Sequence, residues 1–414
     1  MEHGRRLTLL WVSHFIPYPP IGGAFQRSFH LITRIAAEHE VHLIAVRHKA
    51  KVVTDVAPAV ARDHLLKHCR SVRIVDLSAR TGPLALLWHA GLSLCRHEPM
   101  TASLYTSGAL RSAIEETLAR QRFDVVHLDT IGIAQYEPSL GAIPKALGHQ
   151  NVESVMMSRR VRYERNPAAR AFYLLEARKL QRYERAMCPR FDTNIVVSEN
   201  DRRFMLGVAP TSGVDVVENG VDLDYFRPAA TLDSRTLIFA GRLDQYPNRD
   251  GLLHFLRTAW PEIRRLVPDA QLLVVGANPP EEVRAFTARD SGIEVTGFVD
   301  DVRPYFGRAA AVVIPIRDGG GTRLKVLDAL ALGMPIISTS LGIEGLDLVP
   351  EKHVLVADTA GQFGAQVARV FGDRELRLRL STDARQAAER FGWDRIAEQL
   401  SQTYVRIAAT AQTN

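Results

Sequence analysis

Short runs of β-branched and aliphatic residues, separated by stretches with helical spacing, recur along nearly the whole chain. In the second half the runs fall at 236–240, 272–275, 293–296, 311–315, 335–338 and 354–357. Helical stretches at 251–266, 281–289, 303–309 and 324–332 separate most of them. Strands that alternate with helices are parallel, because each crossover helix returns the chain to the same end of the sheet. Continuous apolar runs, as opposed to alternating ones, mean that both faces of the sheet are covered. The first half repeats the scheme less sharply, with strands at 7–13, 41–46, 71–75, 125–128, 145–149 and 194–197. Its helices fall at 24–38, 104–120 and 155–187, the last divided by Pro167, which disfavours helical continuation. A short strand at 214–217 runs into the turn signal Asn219-Gly220. Beyond 357 the chain reads as helical, interrupted by a turn at Phe391-Gly392-Trp393. A length of 414 residues exceeds what one core ordinarily organises. The expectation is therefore an α/β chain of two doubly wound parallel-sheet domains, 1–230 and 231–390, with a closing segment 391–414.

Composition excludes several alternatives. Apolar residues at 46% and charged residues at 24% exclude a disordered or fibrous chain. The three cysteines, Cys69, Cys95 and Cys188, are distant and odd in number, so neither a disulfide framework nor a zinc knuckle is expected. Arg5-Arg6 before the apolar run 7–16 imitates a signal peptide. No small-x-small site follows, and the run reads as a buried first strand. The apolar stretch 84–94 contains His89 and falls short of the ~18–20 residues that span a bilayer. The expected location is the cytoplasm, at or near the inner face of the membrane. Net charge is +6, and ten Arg or Lys face three Glu between Arg159 and Arg190. Such a stretch suits an anionic surface or a charged acceptor; the alternative is a solvated face with internal ion pairs. Nucleic acid is not expected as a partner, because no aromatic residues alternate with the basic ones.

Ligands of open α/β sheets sit beyond the carboxyl ends of the strands, so polar residues that follow strands are the informative ones. Gly319-Gly320-Gly321-Thr322-Arg323-Leu324-Lys325-Val326-Leu327-Asp328 follows one strand and opens a helix. The glycines admit close backbone approach, Thr322 is placed to cap the helix, and the first amides can bind an anion. Arg323 and Lys325 add charge, and Asp328 can accept hydrogen bonds from a sugar diol. Together they match a nucleoside diphosphate. Gly22-Gly23 with Arg27 repeats the arrangement after the first strand, and Gly241-Arg242 ends the first strand of the second half. His127 and Asp129 end one strand, and His149, Asn151 and Glu153 follow the next. None of these has the spacing of a metal motif, so no metal is expected.

In order, these segments resemble the retaining family-4 glycosyltransferases of the GT-B fold, particularly the bacterial exopolysaccharide branch. The resemblance rests on Pro17-Tyr18-Pro19-Pro20-Ile21-Gly22-Gly23, His149-Gln150-Asn151-Val152-Glu153-Ser154, Val197-Ser198-Glu199 and Glu218-Asn219-Gly220-Val221-Asp222. It continues through Phe239-Ala240-Gly241-Arg242, Pro247-Asn248-Arg249-Asp250-Gly251, Val274-Val275-Gly276, Thr296-Gly297-Phe298-Val299 and the 319–335 segment. It implies two Rossmann-like domains facing a cleft. The second would hold a nucleotide-diphosphate sugar and the first an acceptor: a glycan, a lipid-linked intermediate or a small-molecule aglycone. It implies donor contacts from Gly22, Gly23, Arg27, Asn219, Gly241, Gly276, Phe298, Val299, Gly319, Gly320, Gly321, Thr322, Arg323 and Asp328. It implies catalytic roles for Arg242, Lys325 and His127 or Asp129, and acceptor contacts from His149, Asn151 and Glu153. No cofactor is implied. Retention would proceed without an enzyme nucleophile, and the last helix would cross back to the first domain.

Three features depart from the family. Its pair of Glu separated by seven residues reads Gly320 and Asp328 here. The Lys that often follows the strand-end Arg is missing near Pro247-Asn248-Arg249. The first-domain strand-end His is matched ambiguously by His127-Leu128-Asp129. The missing Glu keeps a silent nucleotide-sugar binder open as an alternative, beside an epimerase of the same architecture.

Overall fold

The computed structural model describes residues 5–48, 56–77, 91, 97–164, 166–228, 234–318 and 323–413. It divides into two compact units, Met1–Glu218 with Trp393–Asn414, and Asn219–Gly392.

The first unit is built on a seven-stranded parallel sheet. Its strands are β1 (Thr8–Ser13), β2 (Glu40–His48), β3 (Ser71–Leu77), β4 (Val125–Leu128), β5 (Lys145–Gly148), β6 (Thr193–Val196) and β7 (Val214–Val216), in the order β3-β2-β1-β4-β5-β6-β7. The order reverses between β1 and β4, and such switch points open a crevice at the strand ends. Successive side chains of β1 explain its continuous apolar run. Leu10 and Val12 enter a cluster on one face with Val126, Leu128 and Ile114. Leu9 and Trp11 enter another on the opposite face with Ile32, Ile35 and Val125, as the period of two in a strand dictates. The helix Trp393–Thr413 supplies Trp393, Ile396, Leu400, Tyr404 and Ile407 to that second cluster. Their spacing of three or four places them on one helical face.

The second unit carries β8 (Thr236–Ala240), β9 (Gln271–Val275), β10 (Ile293–Gly297), β11 (Ala311–Ile314), β12 (Ile336–Ser338) and β13 (Leu355–Val356). They form a parallel sheet in the order β10-β9-β8-β11-β12-β13. Leu237 and Phe239 of β8 pack on one face and Ile238 on the other. All thirteen expected strands are present within a residue or two.

The differences lie elsewhere. The chain enters its second unit at Asn219, upstream of the expected boundary at 230, because Val221 and Phe226 belong to that unit's core. Val221 N–H also donates to the Phe391 carbonyl (2.8 Å). The helix expected at 251–266 begins at Tyr246, with Pro247 in its first turn, where a missing N–H costs nothing. The helix expected at 104–120 is two, Met100–Leu104 and Gly108–Arg120, the second capped by the Ser107 hydroxyl, which accepts from Leu110 N–H (3.3 Å). A ten-residue 3-10 stretch, Ile131–Leu140, had no sequence signal. The stretch 84–94, apart from Gly91, and Cys95 fall outside the described residues. Cys69 and Cys188 are buried free thiols. Among the described residues no helix is long and apolar enough to cross a membrane.

Candidate functional site

At the carboxyl ends of β8, β9 and β10 the chain places one glycine each: Gly241, Gly276 and Gly297. They are stitched together, Gly241 N–H to the Val275 carbonyl (2.9 Å) and Gly276 N–H to the Gly297 carbonyl (3.1 Å). A Cβ on Gly276 would lie 2.0 Å from the Gly241 carbonyl oxygen, so only glycine lets these strand ends meet. Gly297 has φ 78°, a region that favours glycine. Bare backbone is thus exposed where a ligand of an open sheet binds. Phe298, directly after it, is 66% exposed, and Val299 is half-buried against the core.

Lys325 reaches this backbone from the helix Leu324–Ala331. Its ammonium would touch a Cβ at Gly241 (2.7 Å) and lies 4.6 Å from the centre of the Phe239 ring. It donates to Asn248 Oδ1 (2.7 Å), while Asn248 Nδ2 donates to the Arg242 carbonyl (2.8 Å). Arg242 donates from Nη2 (2.6 Å) and Nε (3.1 Å) to the two oxygens of Asp244. Burial pushes the half-buried Lys325 down to about 7, helped by Arg323 and opposed by Asp328. Burial likewise pushes Asp328 up to about 7, opposed by Lys325. Lys325 and the Arg242 carbonyl are therefore joined through one amide, although 83 residues separate them in sequence. The position of Asn248 was legible as part of Pro247-Asn248-Arg249; its bridging role was not.

Gly319, Gly320, Gly321 and Thr322 lie outside the described residues. The expected cap by Thr322 therefore falls outside the described residues; Arg323 occupies the position before the helix, and its side chain makes no capping hydrogen bond. Cap geometry depends on where the chain leaves extended backbone, and Arg323 is still extended, at φ −91°, ψ 103°. Asn219 is buried at the start of the second unit.

In the first unit Gly22 has φ 99° and precedes the helix Gly23–Glu38. Arg27, expected to face an anion, is held by the backbone around it. It is buried and donates to the carbonyls of Glu218 (2.7 Å) and Val217 (2.8 Å). It ties the first helix to the end of β7, and burial lowers it to about 10, opposed by Asp129.

His127 and Asp129 are both buried at the end of β4. His127 stacks on Trp11 with ring centres 4.0 Å apart. Its Nδ1 pairs with the Tyr404 hydroxyl (2.9 Å), and its Nε2 lies 3.8 Å from Asp129 Oδ1. Asp129 Oδ2 accepts from Ser28 (2.7 Å) and Ser13 (3.3 Å). Burial lowers the basicity of His127 against the pull of Asp129. Burial would raise Asp129, but His127, His14 and Ser28 hold it below its ordinary value. The Tyr404 partner is remote in sequence and left no signal there.

His149 is buried after β5; its Nε2 pairs with Asn194 Oδ1 (3.0 Å), and its Nδ1 has no hydrogen-bond partner among the described residues. Burial pushes it down to about 4, so it is neutral near pH 7. Asn151 is half-buried in the loop that follows. Glu153 opens the helix Glu153–Tyr163, and burial together with Glu184 raises it to about 7. Glu184, not singled out in the sequence, accepts from Ser154 N–H (3.1 Å) and the Ser154 hydroxyl. Among the described residues no group of three His, Cys, Asp or Glu is placed to hold a metal ion.

Residues 234–373 match the family described as Glycosyl transferases group 1. A phosphatidyl-myo-inositol mannosyltransferase of Mycobacterium tuberculosis is 25% identical over 381 residues, covering 85% of this chain and 94% of the relative. A GDP-mannose-dependent alpha-(1-6)-phosphatidylinositol monomannoside mannosyltransferase of the same species is 28% identical over 232 residues, 50% of this chain and 59% of that one. Among solved structures, a sucrose-phosphate synthase from Thermosynechococcus elongatus superposes with a TM-score of 0.71 at 18% identity, covering 97% and 100% of the two chains. Anabaena HepE in complex with UDP does so at 0.66 and 12%, covering 96% and 99%.

Proposed function

We propose that this chain, a group 1 glycosyltransferase of the GT-B fold, moves a hexosyl group from a nucleoside-diphosphate sugar to an acceptor hydroxyl, with retention and without a metal. The observation that carries the reading is the joined pair Lys325–Asn248–Arg242 beside the bare backbone of Gly241 and Gly276. Two cations at the carboxyl ends of a parallel sheet, Lys325 held by Asn248 and the Arg242 guanidinium by Asp244, suit a diphosphate. Cations fixed beforehand where leaving-group charge develops stabilise the transition state without reorganising. Arg323 and Lys325 at the start of their helix add to the dipole, and Asp328 is the acceptor for the ribose hydroxyls. Phe298 offers an exposed aromatic face to the base. The bond between the anomeric carbon and the diphosphate breaks as the acceptor oxygen attacks on the same side. The acceptor proton passes to a departing phosphate oxygen.

The acceptor class is a lipid-linked or glycan hydroxyl, with the chain working at the cytoplasmic face of a membrane. The names of the mannosyltransferase relatives support this, as does the exposed basic face of the helix Pro167–Met187. The test is nucleotide release from a panel of UDP- and GDP-hexoses, with and without phosphatidylinositol or polyprenyl-linked sugars. Release that needs an acceptor and survives EDTA is expected. Turnover abolished by chelation and restored by a divalent ion overturns the metal-free mechanism; interconversion of the donor without acceptor overturns transfer.

A further inference from the structure

Arg242 is already engaged by an anion. Its guanidinium grips Asp244 through both Nη2 (2.6 Å) and Nε (3.1 Å), the two-pronged geometry it would use on a phosphate. The loop is built to hold that grip. Leu243, between the two, is fully buried, and its N–H donates to the Ala277 carbonyl (3.1 Å). With Leu243 turned into the core, the side chains of residues 242 and 244 project together toward solvent, 32% and 36% exposed. Asn278, the residue after Ala277, is a non-glycine residue held at φ 55°, where such residues are uncommon. Lys325, the other cation of the pair, donates instead to the neutral Asn248. One cation is held by a neutral amide and the other by a carboxylate.

We infer that Asp244 acts as an internal stand-in for phosphate, holding Arg242 in position until the donor's diphosphate displaces it. Asp244 is thus a positioning residue that tunes how strongly the site selects multiply charged anions. The inference rests on the donor site proposed above. An ion pair this exposed is weak and screened by salt, so a diphosphate can exchange for it, whereas a singly charged anion competes poorly. Asp244 then sets affinity by competition, and its removal should tighten binding where loss of an ordinary structural carboxylate would loosen it.

The test is calorimetric binding of inorganic pyrophosphate, UDP and GDP to the full chain and to the variants Arg242→Ala, Asp244→Asn and the double variant, at low and high salt. Asp244→Asn, nearly isosteric, should tighten pyrophosphate by up to about fivefold at low salt. The gain should fade at high salt and vanish in the Arg242→Ala background. Loosened or unchanged binding in Asp244→Asn, or the same gain without Arg242, overturns the role of Asp244. Unchanged binding in Arg242→Ala overturns instead the placement of the diphosphate, which keeps the two failures distinct.

Discussion

Lys325 gives the site a pH dependence whose sign follows from its surroundings. Burial holds it near 7 in the free protein, with Arg323 lowering it further and Asp328 raising it. A bound diphosphate favours the ammonium, so above pH 7 binding must take up a proton. The donor KM should therefore rise between pH 7 and 9, at most about tenfold per unit. Lys325→Arg, which stays charged, should flatten that rise. KM profiles at constant ionic strength check this, and equal slopes in both proteins would remove the ammonium from the diphosphate site. Asp328 is a separate matter. Hydrogen bonds to a charged acceptor contribute ~1.5–3 kcal/mol each, so Asp328→Ala should lower kcat/KM for the donor at least tenfold. An unchanged value would place the ribose elsewhere.

At the scale of elements, the helical pair Glu153–Tyr163 and Pro167–Met187 separates structural from available charge. Lys179 is buried against Glu176 (3.4 Å), and Arg190 faces Glu137 (3.7 Å). Arg159 and Arg160 lie over the rings of Phe204 and Tyr173 (5.5 and 5.0 Å). By contrast Arg170, Arg178 and Arg182 are exposed and recur at helical spacing around Leu174, itself 40% exposed, while Arg185 donates to the Val208 carbonyl (3.1 Å). A basic stripe with an apolar centre suits an anionic lipid surface, where each basic residue contributes ~1 kcal/mol. Binding to phosphatidylglycerol vesicles should fall sharply with salt and be lost in the charge-reversed variant Arg170→Glu/Arg178→Glu/Arg182→Glu. Neutral phosphatidylcholine vesicles should not bind. Flotation with neutral lipid, or none with either, would leave the stripe as ordinary solvated surface. Sequence reading counted these charges correctly but could not sort them, because sorting depends on which side of each helix meets protein.

For the whole molecule, the units differ in how they are closed. Residues 219–392 are continuous and carry the complete β8–β13 sheet with both of its apolar clusters. The first unit needs Trp393–Thr413, whose Leu400 and Tyr404 are fully buried in its core. Fully burying one such apolar side chain contributes ~1.5–3 kcal/mol. Expressed alone, 219–392 should fold and bind a nucleoside diphosphate, whereas 1–218 should gain a cooperative thermal transition only when 393–414 is supplied. Calorimetry of the two fragments and of their mixture tests this. A cooperative transition in 1–218 by itself would show that the last helix is not part of its core.

Strand positions were legible in the chain because a strand covered on both faces is apolar along its middle, as 9–12 of β1 and 237–240 of β8 are. Gly241 and Arg242 were legible because they follow β8, and Gly276 through the family resemblance. Other features depend on residues far apart in sequence that no local pattern connects. The Tyr404–His127 bond spans 277 positions, the Lys325–Asn248 bond 77, and Arg27 reaches the Val217 carbonyl across 190. A buried guanidinium takes whatever carbonyl the packing leaves unpaired, so Arg27, which reads as an anion ligand in sequence, also ties the first helix to the end of β7 in the fold. Local composition settled where backbone is extended, helical or bare. Only the tertiary structure decided which charges stay available to a ligand, because availability is set by the partners that packing brings within hydrogen-bond reach.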